Sequence, residues 1–210
     1  CARGVTADIT SSFTPEQVSG RTVDDKFVLS QLDFSLRLFN ESLKENGGNV
    51  LLSPLSLTYA LALTANGADG ATLSEIEAAV GEIPVSELNE YLYSCRSVFS
   101  EAEGFKLRSA NSLWLKDDER ISFRNEFLQT DVNYLGAEIY KADFDFSTVG
   151  DINGWVKSRT DGMIDKAINN INPNDVLYLI IALAFDSEWE KGYEKSDVRE
   201  GVFTSENGEE

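Results

Sequence analysis

With 210 residues, 42% of them apolar and 26% charged, the chain has the length and balance of one globular domain with a sizeable core. Against 18 Lys and Arg stand 36 Asp and Glu, and the resulting net charge of −18 repels phosphate backbones, so no nucleic-acid partner is expected. The sequence has no histidine, which excludes Ser–His–Asp and Cys–His catalysis and any His-ligated metal site within the chain.

Residues 1–22 are polar and rich in Ser and Thr, and they read as a flexible lead-in to a single domain over 23–210. The first residue is Cys1, followed by small and polar residues. This resembles the start of a mature bacterial lipoprotein, in which that thiol carries the lipid and tethers the protein to a membrane; a cloning boundary is the alternative. From Asp24 to Asn46 the spacing of Val28, Leu32, Leu36, Phe39 and Leu43 predicts a helix that Gly47-Gly48 stop. Asn49–Ser53 reads as a short strand ended by Pro54. Ser56–Ala65 reads as a helix apolar on nearly all sides, hence interior, with Asn66-Gly67 at its end.

Thr72 and Glu75 have the spacing of a capping box opening a third helix to Val80. Ser86–Ser100 forms a fourth, with Leu88, Tyr91, Leu92, Cys95 and Phe99 on one face; Cys95 reads as a small buried hydrophobe. Phe105–Leu115 is strand-like, Ser122–Leu135 a fifth helix closed by Gly136, and Ala137–Phe144 another strand. Ile152, Trp155, Val156 and Arg159 place a sixth helix before the most apolar stretch of the chain.

That stretch, Val176–Phe185, contains no polar side chain apart from a Tyr hydroxyl. It is too short to span a bilayer. A helix buried on all sides fits the pattern, but Tyr, Ile, Val and Phe favour a strand. Without polar alternation both faces need cover, which predicts a central strand with helices on one side and more sheet on the other. Val202–Thr204 is a further candidate strand. Strands adjoining helices in this way imply a mixed α+β fold.

Five segments in order resemble the N-terminal half of a serpin. They are Asn49–Ser56 with the following Ala/Leu helix and Asn66-Gly67-Ala68, then Asn111–Trp114, then Ile152–Val156 with Thr160–Ile164, then Leu177–Phe185 with Trp189-Glu190, and finally Val202–Gly208. The resemblance implies helices packed on a large mixed or antiparallel main sheet. It further implies a suicide inhibitor of serine or cysteine proteases, secreted or tethered outside the cell, and not an enzyme. In such proteins the target protease cleaves an exposed reactive loop, which inserts as a new strand in the main sheet. Ser53, Pro54 and Ser56 match the family's shutter, where the sheet parts, and Trp189 matches the breach at its upper end. At Ile181 the family usually has an Asn, so here the shutter would rest on packing, and a non-inhibitory binding or structural protein of the same fold is the alternative. The resemblance assigns the reactive loop to no residue of this chain. It also implies that the strand edge beside Leu177–Phe185 lies open in the chain as given. Arg96 is the only base in Ser86–Ser100, where heparin-activated relatives cluster basic residues, so no glycosaminoglycan cofactor is expected.

Other chemistries read weakly. Gly67–Gly70 lacks the Gly-Lys-Ser/Thr ending of a phosphate loop and reads as helix capping. Asp143-Phe144-Asp145 starts like a calcium loop but has Thr148 where Gly is required, and reads as a turn. Glu188 and Glu190 have the spacing of a carboxylate pair for glycoside hydrolysis, and solvated charge explains them better. Asn40-Glu41-Ser42 is a glycosylation sequon on a helix.

Overall fold

The computed structural model describes residues 6–46, 49–101, 105–187, 189, 191–205 and 208. In chain order they form β1 (Ala7–Asp8), a 3-10 turn (Thr10–Ser12), α1 (Asp25–Asn46), α2 (Pro54–Asn66), α3 (Gly70–Ala79) and α4 (Val85–Glu101). These are followed by β2 (Phe105–Lys116), α5 (Asn125–Leu135), β3 (Ala137–Ala142), α6 (Phe146–Arg159), β4 (Leu177–Ser187) and a second 3-10 turn (Lys195–Asp197). The α+β expectation holds. No helix among the described residues is long and apolar enough to cross a membrane.

The strands lie in the order β1-β3-β2-β4. β2 and β3 are parallel, Asn111 opposite Ala137 and Lys116 opposite Ala142, with α5 as the crossover that parallel pairing requires. β4 runs antiparallel to β2 over their whole shared length, Phe105 opposite Ser187 through Leu115 opposite Leu177. Because side chains alternate along a strand, the sheet has two distinct faces. Leu113, Leu115, Ala137 and Ile139 belong to a core completed by Tyr59, Ala62 and Leu63 of α2, Leu88, Tyr91 and Leu92 of α4, and Leu128, Val132 and Leu135 of α5. Trp114 and Ala142 face the other way, into a smaller core with Phe144 and with Ile152, Trp155 and Val156 of α6.

Several expectations are corrected. β4 is the strand that the sequence predicts; it lies not at the centre of the sheet but at its edge, as the resemblance implies for the chain as given, paired only with β2 among the described residues. Helices cover it on both sides: Leu177, Leu179 and Ile181 pack towards the α2 core, Tyr178 and Ile180 towards the α6 core. An all-apolar strand needs two apolar neighbours, and α6 supplies the cover that the sequence pattern leads one to expect from further sheet.

α1 has the expected span, yet its buried residues are Phe27 and Phe34, and Val28, Leu29, Leu32 and Leu36 are more than half exposed. The docking face is set one residue earlier than the apolar stripe suggests. Phe27 stacks on Tyr91 at 4.4 Å, and Gln31 accepts a hydrogen bond from Thr58 of α2 at 2.9 Å. Asn49–Ser53 forms no strand, with Leu51 almost wholly exposed, and Val202–Thr204 is exposed coil. The Thr72–Glu75 box is not used: Asp69 accepts from the Gly70 N–H, and the helix starts one turn sooner.

From Thr6 onward the expected lead-in is seated on the domain. β1 pairs with β3, Phe13 is buried in the α2 core, and Arg21 binds Glu90 at 2.9 Å. Residues 1–5, including Cys1, lie outside the described residues, as do Gly47, Gly48, Glu188 and Glu190.

Candidate gating site at the edge of β4

α2 starts where Ser53, in extended conformation, accepts the Ser56 N–H on its hydroxyl at 3.3 Å, and Pro54 occupies the first turn. Both features have local causes: a Ser oxygen satisfies a free amide of the first turn, and proline there forgoes only a donor that has no helical acceptor. The Ser53 and Ser56 hydroxyls are 2.9 Å apart. α2 carries no charged side chain, and it packs beneath β4. Leu55, in its first turn, and Ile181, in the middle of β4, pack against the same core.

Ile181 lies directly opposite Asn111 of β2. The Asn111 Nδ2 donates to the Leu135 carbonyl at 2.8 Å, but its Oδ1 is buried with no partner. Opposite Leu183, the Ser109 hydroxyl is likewise buried and unpaired. One residue further, Ser112 accepts the Trp114 indole N–H at 2.9 Å. The structure thus adds a line of small polar residues along β2 to the site that the sequence suggests. Their signal in the sequence is the uncharged polar Ser109, Asn111 and Ser112 just before the apolar run Leu113-Trp114-Leu115 of the same strand.

The outer side of β4 is an open strand edge among the described residues. The Lys116 N–H bonds the Val176 carbonyl at 3.0 Å, which fixes the antiparallel alternation. Tyr178, Ile180 and Ala182 therefore turn their backbone groups towards β2, and Leu177, Leu179, Ile181 and Leu183 turn theirs outward. No strand partner meets these four among the described residues. An edge of this kind is a template for a further strand.

α6 is fixed across the other face of the sheet by Glu138 of β3. Its carboxylate accepts from the Tyr140 hydroxyl at 2.6 Å and the Trp155 indole at 2.9 Å, and it pairs with Arg159 at 2.6 Å. Burial pushes this carboxyl up, but the bonds from Arg159, Tyr140 and Trp155 outweigh burial and hold it below its ordinary value. Arg108 of β2 pairs with Asp161 just after α6.

Ser53, Pro54 and Ser56 are thus brought together, with Ile181 on the same core. Trp189 is not part of this group. It lies beyond the end of β4, 83% exposed, with the strand from Ile181 to Ser187 rising about 3.3 Å per residue towards it. Glu188 and Glu190 lie outside the described residues, so the carboxylate pair has no geometry to report. Gly67 and Asp69 cap successive helices, as their sequence suggests, and Asp145 caps α6 by accepting the Ser147 and Thr148 amides.

A family model described as serpin (serine protease inhibitor) matches residues 29–210. An uncharacterised serpin-like protein of Thermococcus kodakarensis is 30% identical over 83% of this chain and 42% of its own length. Neuroserpin of Rattus norvegicus is 29% identical over 92% of the chain and 48% of its length. Among solved structures, the thermophilic serpin tengpin in its native state is 46% identical, with a TM-score of 0.89 over 97% of this chain and 52% of that one. The same protein in its latent state gives a TM-score of 0.82 over 90% of this chain and 52% of that one, at 48% identity. The chain spans about half the length of the relatives it matches. It belongs to the serpin family.

Proposed function

We propose that this protein inhibits serine or cysteine proteases by the serpin mechanism, admitting a cleaved reactive loop as a new strand beside β4. The observation that carries the reading is the outward-facing backbone of Leu177, Leu179, Ile181 and Leu183 above an uncharged helix capped by Ser53. Each of the four offers one donor and one acceptor, and a strand laid along them would satisfy groups that otherwise face water. At a net 0.5–1.5 kcal/mol per hydrogen bond, the gain is on the order of several kcal/mol before apolar burial is added. The proposed partner is a target protease. The proposed location is outside the cell or at its surface, with Cys1 as the candidate lipid-bearing residue. The reactive loop is assigned to no residue of this chain.

One observation favours a second reading, a non-inhibitory binding or structural role. Ile181 holds the position opposite Asn111 with a side chain that forms no hydrogen bond, leaving the Asn111 oxygen unpaired. Incubation of a full-length protein that carries this chain together with its reactive loop, with serine and cysteine proteases, separates the two. An adduct that survives SDS and has the summed mass of both partners is expected; clean cleavage with no adduct refutes the inhibitor and favours the second role.

A further inference from the structure

Asp131 lies on α5 with its side chain wholly out of solvent. One carboxyl oxygen accepts the Asn66 Nδ2 of α2 at 2.8 Å; the other has no partner. Asn66 is in turn locked to Asn89 of α4 by two hydrogen bonds: the Asn89 Nδ2 donates to the Asn66 Oδ1 at 2.8 Å, and the Asn66 Nδ2 to the Asn89 Oδ1 at 3.2 Å. The cluster is therefore the joint of three helices, closed entirely by polar groups, and the only ionisable member is Asp131.

No counter-charge reaches it. α2 has no charged residue, and its Tyr59 hydroxyl donates to the Leu92 carbonyl. On α4, Glu87 and Glu90 face Arg21, the Tyr91 hydroxyl donates to Asp24, and Arg96 lies over the Tyr93 ring; the Cys95 thiol is neutral, pushed up by burial. On β3, Glu138 pairs with Arg159 and Lys141 with Asp117. Glu126 on α5 and Asp69 and Arg124 nearby are exposed, and Glu16 takes its bond from Asn133. A buried carboxylate with one hydrogen bond and no cation is costly, and the neutral acid costs far less.

We propose that Asp131 is a proton-operated latch in the α2–α4–α5 layer: as the neutral acid it holds the joint closed, and loss of the proton loosens α5. Burial raises the carboxyl well above its ordinary value, with the Asn66 bond opposing. A carboxyl raised on folding holds its proton in the native state after the unfolded chain has lost it. Asp131's contribution to stability is then greatest in acid and falls as pH rises from the unfolded value towards the native one, by up to about tenfold in the unfolding equilibrium per pH unit.

The test compares the purified protein with its Asp131→Asn variant from pH 5 to pH 8, reading the unfolding midpoint and amide exchange in α5. The midpoint of the unaltered protein is expected to fall across this range relative to the variant, and α5 exchange, corrected for intrinsic rate, to accelerate. Parallel pH profiles for the two proteins overturn the proposal. Should the variant fail to fold, carboxyl carbon NMR of the unaltered protein decides: a titration of Asp131 well above the ordinary range supports the latch, and one near pH 4 refutes it.

Discussion

Replacing Ile181 by Asn tests the physical account of the β4 site most directly. Ile181 is partly buried against the α2 core, so its removal forfeits part of the roughly 1.5–3 kcal/mol that full burial of such a side chain supplies. The incoming amide, however, stands directly across from Asn111, whose Oδ1 is buried and unpaired. Opposed side chains in an antiparallel pair have Cβ atoms about 4.5–5.5 Å apart, within reach of an amide-to-amide bond. Satisfying a buried orphan recovers about 1–3 kcal/mol. The two contributions nearly cancel, so Ile181→Asn should cost no more than about 1 kcal/mol, a fall in Tm of about 2–4 °C for a chain of this size. Ile181→Ala, which loses the packing of a partly buried side chain and leaves the orphan, should cost about 2 kcal/mol, the low end for a core Ile-to-Ala change. Urea titration of both variants, alone and combined with Asn111→Val, gives the coupling between the two positions. An Asn variant as unstable as the Ala variant, with no coupling to position 111, would refute the reasoning.

Other outcomes follow from the capping and the ion network. Ser53→Ala removes the acceptor for the Ser56 amide and should lower stability by about 1 kcal/mol, read from the denaturation midpoint, while Ser53→Asp keeps the cap and should cost less. Glu138 is held below its ordinary value in the folded state, so its contribution is present at neutral pH and fades as pH falls through the carboxylate range. Acid unfolding of Glu138→Gln should accordingly show a shallower pH dependence below about pH 4.5, with weaker protection of the α6 amides at pH 7.

Much of this was legible in the sequence because local chemistry decides it. Gly136 takes a left-handed conformation (φ 61°) that ends α5 where its position suggests, and the apolar run before Asp186 forms a strand. What the sequence could not convey is which neighbour each apolar face meets. The α1 stripe from Val28 to Leu43 is genuine, yet the helix docks through Phe27 and Phe34, because Tyr91 and Thr58 present their partners there. Composition likewise could not place the polar Thr6–Arg21 stretch against the domain, since Phe13 and the partly buried Ile9 carry the apolar packing and the rest is backbone pairing and side-chain bonds such as Glu16 to Asn133. Of the residues proposed to gate the sheet, Ser53, Pro54 and Ser56 announce themselves through turn chemistry. Asn111 becomes notable only when β4 sets Ile181 across from it.

The three tryptophans of the chain are distributed so that the fold carries its own optical readout. Trp114 is fully buried and stacked on Tyr140 at 4.4 Å, and Trp155 is nearly so, fixed by its bond to Glu138; both should emit at short wavelength and resist acrylamide. Trp189 alone is bathed in solvent, a few residues past the last rung of β4. A newcomer extending beyond Phe185 would shield that one indole from quencher and leave the other two unchanged, which makes unlabelled fluorescence a clock for the event that the edge permits.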